Sequence, residues 1–295
     1  MGNMAHRVEL RDLTCFLPLL TTLCMVIAGC AGPAGRSAAP AGTAHRLAVA
    51  PTAPDPNAPR GCAPAAPRPY PSTIFTALPR GSVSRAAAEV ALTFDHGPSA
   101  STTPRFLDYL EQTRTAATFF VIGNQAARVP DLIQREWRDG FTIGVHTWNH
   151  PVMTRLTVSQ MRWQLSSTLQ TLHTILGAGA CIWLWRPPYG AVNLTVRRVA
   201  ASLGLTTINW DDDGTDWERP GVGKIAGMIL DLVHPGSIVL MHDGPALRDQ
   251  TLAALPLILA GLRARHLTPV SLPQLLADNG YPGVHVPGGA LPPAG

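Results

Sequence analysis

Charge is scarce in this chain: 14% of its 295 residues are Asp, Glu, Lys or Arg, and the formal net charge is +4. Its 23 Lys and Arg residues are scattered instead of gathered into a stripe, so nucleic acid is not an expected partner. Cysteine is also sparse. Of five in all, Cys15, Cys24 and Cys30 fall in the first thirty residues, which leaves Cys62 and Cys181. Two are too few for a disulfide scaffold, although their pairing is expected once the chain is in an oxidising space. No repeat of about 20 to 50 residues is visible, which argues against a solenoid or propeller. The length accommodates one domain of about 200 residues with appendages, not two large cores. A monomer is expected.

What is present begins with an apolar run, LTCFLPLLTTLCMVIAG, over residues 13 to 29, preceded by Arg7 and Arg11. That order is the order of an export signal. The run is marginal for a membrane span, and Pro18 interrupts it. It ends in Ile27, Ala28, Gly29 and Cys30, which resemble a bacterial lipobox. Cys30 is therefore the expected lipidation site, with the protein extracytoplasmic and anchored to the membrane; an ordinary secretory signal is the alternative. Residues 1 to 30 are read as the signal and 31 to 88 as a tether and lead-in. The tether is rich in Ala, Pro and Gly and has too few large apolar residues for a core. The folded domain is placed at 89 to 280, followed by a Pro and Gly tail over 281 to 295.

Within the domain, short β-like runs recur: VALTFD (90 to 95), ATFFVI (117 to 122), TIGVH (142 to 146), CIWLW (181 to 185), TTINW (206 to 210), SIVLMH (237 to 242) and TPVSL (268 to 272). Segments of helical periodicity separate them, among them TPRFLDYLEQ from Thr103, a long helix ending at Gly177, and one from Leu247 to Arg265. Pro256 lies in the last, where a kink or late start is expected. Seven strands alternating with helices predict a parallel α/β architecture, either an open sheet or a barrel.

Buried parallel strands should be apolar, so the polar residues that end them are informative. Asp95, His146, Arg186, the run Asp211 to Asp213, and His242 all stand at C-terminal strand ends. In (β/α) barrels that face carries the active site. His146 and His150, four apart, suit one face of a helical turn and a zinc ion. Alone this is weak, since ten histidines in a chain of this length give such a pair by chance about one time in three. Pro151 should end the turn and leave the His150 ring facing a loop or cleft. Asp95 is the candidate general base and His242, at the far motif, a candidate acid. Asp211 and Asp212 read as a solvated acidic loop. Trp183 or Trp185 reads as core, and Trp217 as a platform for a sugar ring.

The set TFDHGP (93 to 98), HTWNH (146 to 150), RPPYG (186 to 190), DGTDW (213 to 217) and LMHD (240 to 243) resembles the polysaccharide deacetylase family, also called the NodB homology domain or carbohydrate esterase family four. The resemblance implies a distorted (β/α)7 barrel and a metal-dependent hydrolase that removes acetyl groups from N-acetylglucosamine units. It implies Asp95 as base, held by Arg186, and His242 as acid, tuned by Asp216. His146 and His150 would bind a divalent metal, zinc or another such as cobalt. Tyr189, through its backbone N–H, would face the oxyanion, with Trp217 and Leu240 lining the acetyl pocket. The family usually has a second aspartate after the base; His96 stands there and is expected to be a third ligand. The expected substrate is peptidoglycan, with chitooligosaccharide or acetylxylan as alternatives. Competing readings are a glycoside hydrolase using Asp95 with Asp213 or Asp216, and a non-catalytic carbohydrate-binding lipoprotein.

Overall fold

The computed structural model describes residues 74–75 and 88–279. Cys30, Cys62 and the tail from 281 lie outside the described residues.

Among the described residues nine strands form one all-parallel sheet. They are β1 (Ile74–Phe75), β2 (Glu89–Asp95), β3 (Thr118–Val121), β4 (Thr142–Val145), β5 (Leu184–Trp185), β6 (Thr206–Ile208), β7 (Asp212–Asp213), β8 (Ile238–His242) and β9 (Thr268–Val270). Their order is β1-β6-β5-β4-β3-β2-β8-β7, with β9 also paired to β2. The sheet curls into the expected distorted barrel with helices outside it. Among the described residues no ladder joins β1 to β7, so the barrel has a seam.

All seven expected strands are present, several of them shorter than the apolar runs. The run at 181 to 185 contributes a ladder only from Leu184, and TPVSL stops at Val270 because the Ser271 side chain accepts a hydrogen bond from the Gln274 N–H and opens a helix. Two further strands are not among the expected seven. β1 comes from the lead-in and pairs Ile74 with Thr207 and Phe75 with Ile208, so the sheet draws on chain placed upstream of the domain. β7 is Asp212 and Asp213, paired with Val239 and Leu240.

The helices are α1 (Thr103–Gln112), α2 (Gly123–Ala126), α3 (Pro130–Arg138), α4 (Val158–Leu176), α5 (Leu194–Ser202), α6 (Val222–Leu232), α7 (Asp249–Ala264) and α8 (Leu272–Asp278). α1 starts with Pro104 in its first turn, where the missing N–H costs nothing, and buries Phe106, Leu107 and Leu110. α4 opens on a capping box: the Thr157 side chain accepts from the Gln160 N–H and the Gln160 side chain accepts from the Thr157 N–H. It stops at Gly177, whose φ of 94° suits glycine. α7 corrects the expectation of a late start, since it runs from Asp249 through Pro256 to Ala264.

Among the described residues two hydrophobic clusters pack the fold: the larger includes Leu92, Phe94, Phe119, Val145, Trp185 and Met241, and the smaller includes Phe120, Trp183, Leu184 and Ile238. Phe94 stacks on Phe119 with centroids 5.2 Å apart. Burying each such side chain contributes about 1.5 to 3 kcal/mol. This packing holds the strands in register and fixes where their C-terminal residues emerge.

Candidate active site

Asp95, the last residue of β2, is 3% exposed. Its Oδ1 accepts from Arg186 Nη1 at 2.7 Å, and the same nitrogen donates to Thr93 Oγ1 at 2.7 Å. Arg186 is fully buried, with its guanidinium carbon 4.2 Å from the Phe120 ring centroid. Burial lowers its pKa and the Asp95 carboxylate opposes the shift. The pair is mutually dependent, because removing either leaves an uncompensated buried charge.

His146 follows β4 and His150 lies four residues on, but no helical turn joins them. Thr147 and His150 both adopt the left-handed region, φ 66° and 64°, and that loop shape brings the two rings to 4.8 Å. The spacing was informative and its structural reason was wrong. The His150 ring lies 4.7 Å from the ring of Tyr189, a residue that is 66% exposed. His96 and Tyr189 also adopt left-handed backbone, φ 77° and 60°. For residues with a Cβ this carries a cost, and four of them meeting at one site indicates strain held in place by the surrounding fold.

The loop between the histidines is clamped from outside. Gln164 on α4 accepts through Oε1 from the N–H groups of Trp148, at 2.8 Å, and Asn149, at 3.2 Å. Its Nε2 donates to Asn149 Oδ1 at 2.7 Å. The apolar pattern of α4 carries no sign of this role.

His96, His146 and His150 each offer a ring nitrogen, and the three lie within 4.8 Å of one another. His146 Nδ1 stands 2.9 Å from the Arg186 carbonyl, which can only accept, so Nδ1 carries the proton and Nε2 presents a bare lone pair. That Nε2 is buried without a hydrogen-bond partner. His96 Nε2 and His150 Nε2 approach to 3.0 Å. Burial lowers the pKa of all three, that of His96 to about 2, and for His96 and His146 the neighbouring imidazoles lower it further. Neutral, convergent and partly unpartnered nitrogens are what a divalent cation requires, so the donor set fits one. Asp95 Oδ2 is 3.6 Å from His146 Nε2.

His242 is not remote from Asp95. β2 and β8 are neighbours, with Asp95 paired to His242 in register, so the first and last motifs adjoin. The His242 and His96 rings are 4.6 Å apart. Asp216 Oδ1 accepts from His242 Nδ1 at 2.6 Å and Oδ2 from the His242 N–H at 2.9 Å. Asp216 is 1% exposed and its pKa is lowered, burial being outweighed by these bonds. A carboxylate so engaged is not available as a glycosidase acid or base.

Trp217 stands 55% exposed in a short turn flanked by left-handed Thr215 and Arg219, whereas Trp183 and Trp185 are core. Leu240, 4% exposed, is paired with Thr93 and Asp213. The solvated reading of Asp211 and Asp212 is overturned. Asp211 accepts from the Ile238 N–H and the Ser237 hydroxyl and pairs with His234. Asp212 is 1% exposed, neither carboxylate oxygen has a partner, and burial with two neighbouring aspartates pushes its pKa to about 8. Cys181 is disulfide-bonded, to a partner outside the described residues.

Residues 82 to 208 match the family model described as polysaccharide deacetylase. The chain is 36% identical over 197 residues to a chitooligosaccharide deacetylase of Bradyrhizobium sp., covering 63% of this chain and 90% of that one. It is 34% identical over 201 residues to the peptidoglycan-N-acetylglucosamine deacetylase PgdA of Listeria monocytogenes, covering 68% and 41%. Among solved structures, a peptidoglycan N-acetylglucosamine deacetylase in complex with a naphthalenyl N-oxidanyl-benzamide superimposes with a TM-score of 0.64 at 30% identity, covering 69% and 92%. A family 4 carbohydrate esterase from Streptomyces lividans in complex with acetate does so with a TM-score of 0.57 at 38% identity, covering 62% and 91%. With the same five motifs assembled at the C-terminal ends of one parallel barrel, the chain belongs to the polysaccharide deacetylase family and is a deacetylase.

Proposed function

We propose that the protein is a metal-dependent deacetylase of N-acetylglucosamine units in cell-wall polysaccharide, with peptidoglycan as its substrate, working outside the cytoplasm from a lipid anchor on Cys30. The observation that carries the chemistry is the cluster of His96, His146 and His150, held neutral by burial and placed between Asp95 and His242.

His96, His146 and His150 would hold the ion. When bound, it supplies Lewis acidity toward the acetamide carbonyl and makes water a better acid. Asp95 removes a proton from the attacking water, and Arg186 holds the carboxylate in place through Oδ1. His242 delivers a proton to the departing nitrogen, since an amine anion is a poor leaving group; Asp216 fixes the ring so that Nε2 is the exchanging atom. The Tyr189 N–H would meet charge developing on the carbonyl oxygen. Trp217 supports a sugar ring, and Leu240 receives the methyl group.

Peptidoglycan follows from location, because an anchored domain with a tether sits beside it. Acetate release from peptidoglycan, chitooligosaccharide and acetylxylan tests the reading: peptidoglycan should be the best substrate, and loss of acetate release on chelation, restored by zinc or cobalt, is expected. Full activity in a metal-free preparation would sink the metal role, and a preference for either other polymer would sink the substrate.

A further inference from the structure

Asp216 holds His242, and a carboxylate is a reliable support only if it cannot rotate. Partial rotation about its Cβ–Cγ bond turns both oxygens away and breaks both bonds to His242. The structure contains a third donor to this carboxylate from outside the five motifs. Thr251, in the first turn of α7, donates its hydroxyl to Asp216 Oδ2 at 2.7 Å. Thr251 is fully buried and lies 35 positions along the chain from Asp216.

Resting on the assignment of His242 as the acid, we propose that Thr251 is a positioning residue for deacetylation, locking the Asp216 carboxylate in the orientation in which it holds the His242 ring. The division of bonds supports this. Oδ1 serves the ring alone, whereas Oδ2 takes the His242 N–H and the Thr251 hydroxyl together. Without Thr251, a single backbone bond would hold Oδ2. α7 reinforces the arrangement electrostatically. It is 16 residues long and its amino end, the positive end of its dipole, adjoins Asp216 through Thr251. Arg248, 6% exposed at the head of the same helix, contributes positive potential that lowers the Asp216 pKa. Helix α7 is itself fastened to the turn that carries Asp216, through the Arg219 to Asp249 ion pair at 3.1 Å and the Gly221 N–H to Gln250 bond at 2.9 Å. The support behind the acid is thus built by a helix whose sequence contributes nothing to the motif set.

The test compares the metal-loaded full chain with Thr251→Val, nearly the same shape without the hydroxyl, and Thr251→Ser, which restores it. Acetate release gives kcat and KM, metal titration gives affinity, and proton NMR follows the downfield resonance of the short Nδ1–H bond from His242 to Asp216. Thr251→Val should lower kcat about tenfold, the scale of one buried hydrogen bond, with KM and metal affinity unchanged. The resonance should move upfield or broaden, and Thr251→Ser should recover both signals. Thr251→Ala carries the same test if the Val variant unfolds. An unmoved resonance overturns the proposal whatever the rate does, since any loss of activity would then come from general loosening. A resonance that moves while kcat stays at the parental value supports the positioning role and instead removes His242 as the acid.

Discussion

At the scale of single residues, His96 stands directly after the expected base where the family resemblance leads one to expect an aspartate, and its ring lies 5.4 Å from that of His146 and 4.5 Å from that of His150. A neutral ring leaves the full charge of a cation in place, whereas a carboxylate would partly cancel it. His96→Asp should therefore keep substantial activity with an altered pH profile. His96→Ala should lose metal affinity about 10- to 100-fold, measured by titration of the stripped protein. Parental affinity in that variant would remove His96 from the ligand set. Asp212 gives a stability prediction. Its folded pKa is raised to about 8 from an ordinary 3.8, so the folded state binds the proton more tightly. The contribution is fully present below the unfolded value and is lost as pH rises through about 8. Asp212→Asn should remove that slope, so its melting temperature should exceed the parent's by more at about pH 9 than at about pH 5. An equal difference at both values would show that Asp212 does not carry a buried proton. Sequence alone reads the triple aspartate as solvated because nothing in DDD reveals that the middle residue alternates inward on a strand.

At the scale of elements, what was legible and what was not divide along local and non-local physics. The bounds of α1 and α4 are written locally, in Pro104, the Thr157 capping box and Gly177, and the expected spans match. The placement of Asp95, His146, Arg186 and His242 at strand ends was legible for the same reason: apolar runs stop there. The adjacency of Asp95 and His242 depends on a ladder between distant strands and has no local signature. β1 was hidden among prolines, and Thr251 was hidden because its partner is remote in sequence. Gln164 was hidden likewise, and it yields an element-scale prediction. It ties the loop between His146 and His150 to α4 by three hydrogen bonds. Gln164→Ala should free that loop and weaken metal binding about 10- to 100-fold, with the helix content unchanged by circular dichroism. Tight binding with a freed loop would mean that the backbone conformation of the loop alone places His150.

At the scale of the whole molecule, an anchor, a tether and a domain are expected in that order, and Cys30 lies outside the described residues. Cys30→Ser should release the protein from the membrane fraction, followed by fractionation and immunoblotting. Unchanged membrane association, with no uncleaved precursor, would rule out a lipid on Cys30. The Cys181 disulfide points to a partner among the cysteines outside the described residues, and Cys62 is the one expected to survive export. Peptide mapping without reductant should find the Cys62 to Cys181 linkage; a free Cys62 thiol would refute it.

The pairing of β2 with β8 also bears on when the enzyme can begin to work. The Thr93 hydroxyl bonds to the Val239 carbonyl across 146 positions of chain, and Asp95 meets His242 at the end of the same ladder. A chain synthesised amino end first delivers Asp95 long before His242. Until β8 has arrived and slotted in beside β2, Asp95 faces no partner on that side and the histidine cluster has no fourth wall. Activity therefore requires nearly the entire domain, from β2 through β8, to be in place before the site is complete.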